Sequence, residues 1–281
     1  MEEEKSFHDI PVLIVRPRKL SPDTPLVVLY HGFGPPQSPQ ALARALPLER
    51  FPGVLAYVNL PLVARRLPAD GIEGLKRVQE RDFVNGLFFP CINGAASELP
   101  MLVHEITTTY QLDTSDGIGL FGFSAGGAAV LLALIQSDVP VTAAAILNAP
   151  LSVEDNVRNW EHAVQRPFQW DPASREAANR YNVARHADSI TKRKPVPALL
   201  LMRGEGDDSF DPSSVQHAID ALRAAYRKAR AETKFKVEVL AGVGHNFGPD
   251  TGKDEKSKRT TDQIDREVQD WFERLVAGHG S

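Results

Sequence analysis

Four runs of this chain, 26–30 (LVVLY), 117–122 (GIGLFG), 141–147 (VTAAAIL) and 198–202 (ALLLM), are apolar almost from end to end. A strand with one face in water alternates apolar and polar residues. A strand without that alternation needs cover on both faces, which is the environment of an inner strand of a parallel sheet. Three further runs, 11–16 (PVLIVR), 53–59 (GVLAYVN) and 236–240 (KVEVL), bring the predicted strands to seven. Helical period fills the gaps between several of them. Segments 97–110 and 125–136 flank the 117–122 strand. Segment 212–228 carries Val215, Ile219, Leu222 and Tyr226 on one face, and 261–276 carries the stripe Ile264, Val268, Trp271, Phe272 and Leu275. Strand–helix alternation predicts right-handed crossovers and an α/β fold with a doubly wound, mostly parallel sheet. With no internal repeat and no long linker, one domain is expected over 1–281.

Two segments break the alternation. Residues 60–99 show few regular signals, and residues 151–197 mix charges with Trp160, Phe168 and Trp170. Both leave from the carboxyl ends of strands, where open α/β sheets bind ligands, so both are expected to wall a pocket. The second is expected to form a small cap insertion, with Trp160 and Trp170 as pocket residues. The charge run at 252–260 (GKDEKSKRT) reads as a solvated loop before the last helix.

Composition narrows the function classes. Apolar residues make up 42% and charged residues 24%, and the formal charge is −4, so neither disorder nor a basic nucleic-acid surface is indicated. The single cysteine, Cys91, has no internal partner, and no Cys/His cluster has zinc spacing. Residues 1–5 (MEEEK) are acidic with no apolar run behind them, so a soluble cytoplasmic protein without a membrane span is expected.

The chemistry gathers in four places. Residues 122–127 (GFSAGG) match G-x-S-x-G, preceded by an apolar strand and followed by an Ala/Leu-rich helix. That strand–turn–helix context is what a nucleophile elbow requires, with small residues allowing a tight turn that presents the Ser124 hydroxyl. The blander reading is a Gly-rich packing turn with a capping serine. A serine needs a base, and His245 lies in a Gly-flanked loop (GVGHNF, 242–247) just past the last strand. The base needs an orienting carboxylate. Four acidic side chains compete after Gly204: Glu205, Asp207, Asp208 and Asp211, the last suited to capping a helix that begins at Pro212. Of these Asp207 is favoured, followed by Asp208 and then Asp211. The loop 31–34 (HGFG) follows the LVVLY strand, where the Phe33 N–H, together with that of Ala125, can face a substrate carbonyl. His31 is then a structural loop residue.

With these pieces assembled, the chain resembles the α/β-hydrolase superfamily from about residue 11 to 276, on HGFG, GFSAGG, GEGDDSFDP (204–212) and GVGHNF in that order. The Gly204-x-x-Asp207 spacing looks like the acid loop of esterases and monoacylglycerol-lipase-type enzymes. The resemblance implies acyl transfer to water: Ser124 as nucleophile, His245 as base, Asp207 as its orienting acid, and the Phe33 and Ala125 amides as oxyanion hole. Dienelactone hydrolases are similar in size but carry a cysteine where this chain has Ser124, and the HGGG run of hormone-sensitive-lipase-like esterases is replaced by HGFG. No β-propeller-sized segment precedes the domain, which argues against a prolyl-oligopeptidase-type peptidase. The expectation is a carboxylic-ester hydrolase for small to medium acyl esters, with no cofactor or metal and a small-molecule ester as its partner. A peptidase or amidase of the same fold comes second. A noncatalytic binding protein comes third, disfavoured by the complete set of Ser124, Asp207 and His245.

Overall fold

The computed structural model describes residues 1–252 and 254–277. Eight strands form one mixed sheet: β1 (Glu2–Phe7), β2 (Ile10–Val15), β3 (Leu26–Tyr30), β4 (Val54–Val58), β5 (Ile118–Phe123), β6 (Val141–Leu147), β7 (Ala198–Gly204) and β8 (Phe235–Leu240). Their order is β1-β2-β4-β3-β5-β6-β7-β8, antiparallel over the first three and parallel thereafter. All seven runs read from the sequence are strands. The eighth, β1, is not predicted, because its residues EEEKSF carry no apolar pattern. It pairs only with β2, at the sheet edge, where charged side chains sit in water and discourage edge-to-edge association. The two-residue turn into β2 is His8-Asp9, both at positive φ (47° and 64°), and lacks the glycine that usually marks such a hairpin.

The helices are α1 (Pro39–Ala45), α2 (Gly71–Arg81), α3 (Phe89–Tyr110), α4 (Ala125–Gln136), α5 (Val153–Val164), α6 (Pro172–Arg180), α7 (Val183–Thr191), α8 (Pro212–Lys228) and α9 (Glu255–Phe272). Alternate side chains of the inner strands divide between two cores. Val28, Leu120, Ile146 and Leu201 face one core with α3, α4, α7 and α8; Val27, Phe121, Leu147 and Met202 face the other with α1 and α9. This double cover is why the inner strands are apolar throughout.

Two expectations are corrected. The charge run at 252–260 is not all loop: Asp254 caps α9, its Oδ1 accepting from the Ser257 N–H at 2.8 Å, and the helix runs from Glu255. Lys253 of that run lies outside the described residues. Segment 60–99 holds α2, a π-helical turn (Val84–Phe88) and the first half of α3. Residues 151–197 form three short helices capped by Ser152, Asp171 and Asn182, of which α7 packs on α4 and α8.

The chain direction across the sheet reverses at β3, since β4 lies on one side of it and β5 on the other. The carboxyl ends of β3 and β5 therefore border the crevice where such sheets hold their ligands.

Candidate active site

The turn after β5 is built by what glycine lacks. A Cβ on Gly122 would lie 2.3 Å from the Gly126 carbonyl oxygen, and one on Gly126 would lie 2.4 Å from the His31 carbonyl oxygen. Only hydrogen at both positions lets β5 turn this sharply into α4 while the β3 loop passes alongside. The turn leaves Ser124 at φ 52° and ψ −119°, a strained backbone for a residue with a side chain. It is anchored by the Ser124 N–H donating to the Leu147 carbonyl at 2.9 Å.

The Ser124 hydroxyl points at His245. Its Oγ lies 3.1 Å from Nε2, while Nδ1 lies 3.1 Å from both carboxylate oxygens of Asp207. A carboxylate only accepts, so Nδ1 carries the proton and Nε2 is free to accept from the serine. The His245 ring is held on two sides by Phe123 and Phe210, with centroids at 5.6 and 5.8 Å. Asp207 is buried. Burial pushes its carboxyl up, but hydrogen bonds from His245 and Ser209 outweigh that and hold it below the ordinary carboxylate range.

The other acidic side chains of the loop have separate occupations. Glu205 accepts from the Gly242 N–H at 3.1 Å, Asp208 is exposed, and Asp211 caps α8 by accepting from the Ser213 N–H at 2.9 Å. Of the four, the structure brings Asp207 alone to His245.

The oxyanion loop comes equally close. A Cβ on Gly32 would lie 3.0 Å from the Ser124 Cβ, and the Phe247 N–H donates to the Pro35 carbonyl at 3.3 Å, tying this loop to the histidine loop. Among the described residues the Phe33 N–H has no hydrogen-bond acceptor. Ala125 opens α4, so its N–H has none within the helix. Two amides are thus available beside the serine. His31 is wholly buried; its Nδ1 lies 2.8 Å from the Gly32 carbonyl and its Nε2 accepts from the Leu60 N–H. Burial lowers it to about 4, so it is a neutral loop brace.

Asn148 is the residue the sequence reading missed. It ends β6 at φ 49° and is buried. Its Nδ2 donates to the carbonyls of Gly244 and His245, both at 2.8 Å, and its Oδ1 accepts from the Gly204 N–H at 2.8 Å. One side chain therefore fastens the acid loop to the histidine loop. Its signal is a polar residue closing the apolar run AAAIL between the strands of the nucleophile and the acid.

The two tryptophans fall elsewhere. Trp160 is buried, stacked on Phe83 (6.0 Å), met edge-on by Phe168 (5.8 Å) and covered by the Arg166 guanidinium (5.1 Å). Its faces are occupied, which corrects its reading as a pocket residue. Trp170 is half-buried and borders a groove of about 460 Å³ shared with Glu154, Arg158 and Arg175. Cys91 is buried in α3, where desolvation pushes its thiol up and away from reactivity.

In fold the chain is similar to TT1662 from Thermus thermophilus (16% identity, TM-score 0.69, 97% of this chain and 98% of that one). It is similar to a puromycin-hydrolyzing peptidase from Mycobacterium tuberculosis (15%, 0.65), covering 98% of this chain but 39% of that one. It is also similar to the propionate-bound esterase Est2 of Thermogutta terrifontis (17%, 0.59, 95% and 93%). No curated protein matches the sequence. The model of the prolyl oligopeptidase family matches residues 101–277, a span that holds Ser124, Asp207 and His245. The chain belongs to the prolyl oligopeptidase family and is a serine hydrolase of α/β-hydrolase fold.

Proposed function

We propose that the protein hydrolyses carboxylic esters of small to medium acyl groups through an acyl-enzyme on Ser124. The observation that carries the proposal is the unbroken relay from the Ser124 hydroxyl to His245 to Asp207, with contacts of 3.1 Å at each step, on a strained turn beside two free amides. His245 takes the hydroxyl proton as Ser124 Oγ bonds to the ester carbonyl carbon, and the Phe33 and Ala125 amides receive the oxyanion. The tetrahedral adduct collapses, the carbon–oxygen bond to the alcohol breaks, and His245 returns the proton to the leaving oxygen. Water then repeats the sequence on the acyl-serine and releases the acid. Asp207 keeps the proton on Nδ1 and offsets the imidazolium charge throughout.

A second reading, cleavage of a peptide or amide bond, is favoured by the family and by the fold shared with the Mycobacterium tuberculosis peptidase. p-Nitrophenyl esters of rising acyl length, run beside aminoacyl p-nitroanilides, separate the two. Ester turnover with an initial burst supports the first reading. Anilide turnover at equal or greater kcat/KM reverses the order.

A further inference from the structure

Phe33 carries more than an amide. Its ring opens onto a cleft of about 570 Å³ whose apolar wall is completed by Val63, Leu67, Ile72, Leu75 and Leu87. That size suits a small-molecule site. Leu67 and Ile72 are 37% and 58% exposed, two of only four large apolar side chains left so open among the described residues. Both stand on this one cleft. Among the described residues the cleft has a single charged side chain, Lys76, whose ammonium is held by Glu73 at 2.9 Å, and three neutral polar ones, Gln37, Ser38 and Gln79. Such a wall desolvates a neutral hydrocarbon chain without leaving an ionic partner unpaired.

The cleft's position decides which part of a substrate enters it. A carbonyl oxygen at the Phe33 N–H places the carbonyl carbon beside Ser124. The leaving oxygen must then lie at His245 Nε2, which returns its proton. The aromatic walls of His245 are Phe123 and Phe210, and no residue of the histidine or acid loops lines the cleft. The substituent directed past Phe33 is the one that does not leave.

We infer that the cleft between the oxyanion loop and α2 binds the acyl chain, and that Leu67, Ile72 and Leu75 set the preferred chain length for neutral, unbranched acyl groups. The inference rests on the acyl-enzyme reading above. It places the control of substrate size at α2, outside the 151–197 segment that the sequence offers as a cap.

The test compares kcat/KM for p-nitrophenyl octanoate and acetate in wild type, Ile72→Asp, Leu75→Trp and, as a control on the outer face of α8, Ala224→Asp. Ile72 and Ala224 are exposed, so neither substitution disturbs the core. The octanoate-to-acetate ratio should fall about ten-fold or more in Ile72→Asp and Leu75→Trp, and stay within about two-fold in Ala224→Asp. Rates of Ser124 labelling by octyl and methyl fluorophosphonates should shift in parallel. Ratios unchanged in both cleft variants overturn the inference while leaving the acyl-enzyme reading intact. Failure of either fluorophosphonate to label Ser124 in wild type removes that reading and the inference with it.

Discussion

Replacing Asn148 should cost stability and turnover together. Its amide makes three hydrogen bonds of 2.8 Å to the backbone of two loops, and the side chain is buried. At a net value of about 1 kcal/mol per bond, deleting all three costs about 3 kcal/mol. Alanine adds about 1 kcal/mol more because it must hold φ 49°, a conformation asparagine tolerates and glycine adopts freely. Asn148→Ala should therefore unfold about 8–16 °C below wild type and Asn148→Gly a few degrees less far below it. Loosening the clamp lets Asp207 and His245 move apart, and misplacement of about 1 Å costs up to about a hundred-fold. The expected result is a ten- to hundred-fold fall in kcat with KM within about three-fold. Asn148→Asp should be the slowest of the three, since it keeps the acceptor for Gly204 but turns an anion toward two carbonyl oxygens. Thermal denaturation and steady-state kinetics on the best p-nitrophenyl ester read both quantities. A glycine variant that melts early but keeps wild-type kcat would refute the positioning role. One that melts normally would refute the hydrogen-bond arithmetic.

Other outcomes follow from the same geometry. Asp207→Asn should lower kcat about 10³–10⁴-fold by favouring the wrong imidazole tautomer, whereas Asp208→Asn should stay within a few-fold; the reverse ranking in steady-state assays would move the acid by one residue. Trp160→Ala should lower stability by about 3–5 kcal/mol in urea titrations and reduce activity on all acyl lengths alike, because the ring packs against Phe83 and Phe168; a change confined to long acyl chains would contradict that. His31 is neutral in the folded state, with its ordinary value of 6.5 lowered to about 4 by burial. Its contribution to stability is full above pH 6.5 and is lost as the unfolded state protonates between pH 6.5 and 4, by about 3 kcal/mol. Urea titrations at pH 7 and 4.5 should show that loss in wild type and a flatter slope in His31→Gln.

Much of this was legible because the sheet interior allows so few kinds of sequence. LVVLY, GIGLFG, VTAAAIL and ALLLM cannot be solvated on either face, so their strand character and their central place follow together. The elbow was legible for a similar reason, since Gly122 and Gly126 sit where a Cβ would strike backbone. The edges were not. β1 is held by its ladder to β2 rather than by apolar burial, so its acidic residues read as a loose end. The sequence predicts the long α3 only from Ser97, because that start puts Pro100 in a first turn, where proline is tolerated, whereas the structure carries the helix from Phe89 through Pro100. The acid loop left four candidates because carboxylates cap turns as readily as they orient histidines, and only their partners tell them apart. Asn148 was hidden by its isolation: a single amide has no motif, and its role exists only once three loops meet.

The central claim is that Ser124 is the nucleophile and that His245 activates it. Its most direct measurement is the mass of the folded protein, and of its peptides, after brief exposure to a fluorophosphonate. One phosphonyl group should appear, on the peptide containing Ser124, in wild type. None should appear in Ser124→Ala, and labelling should slow by orders of magnitude in His245→Ala. Labelling at any other residue, or undiminished labelling without His245, would contradict the claim.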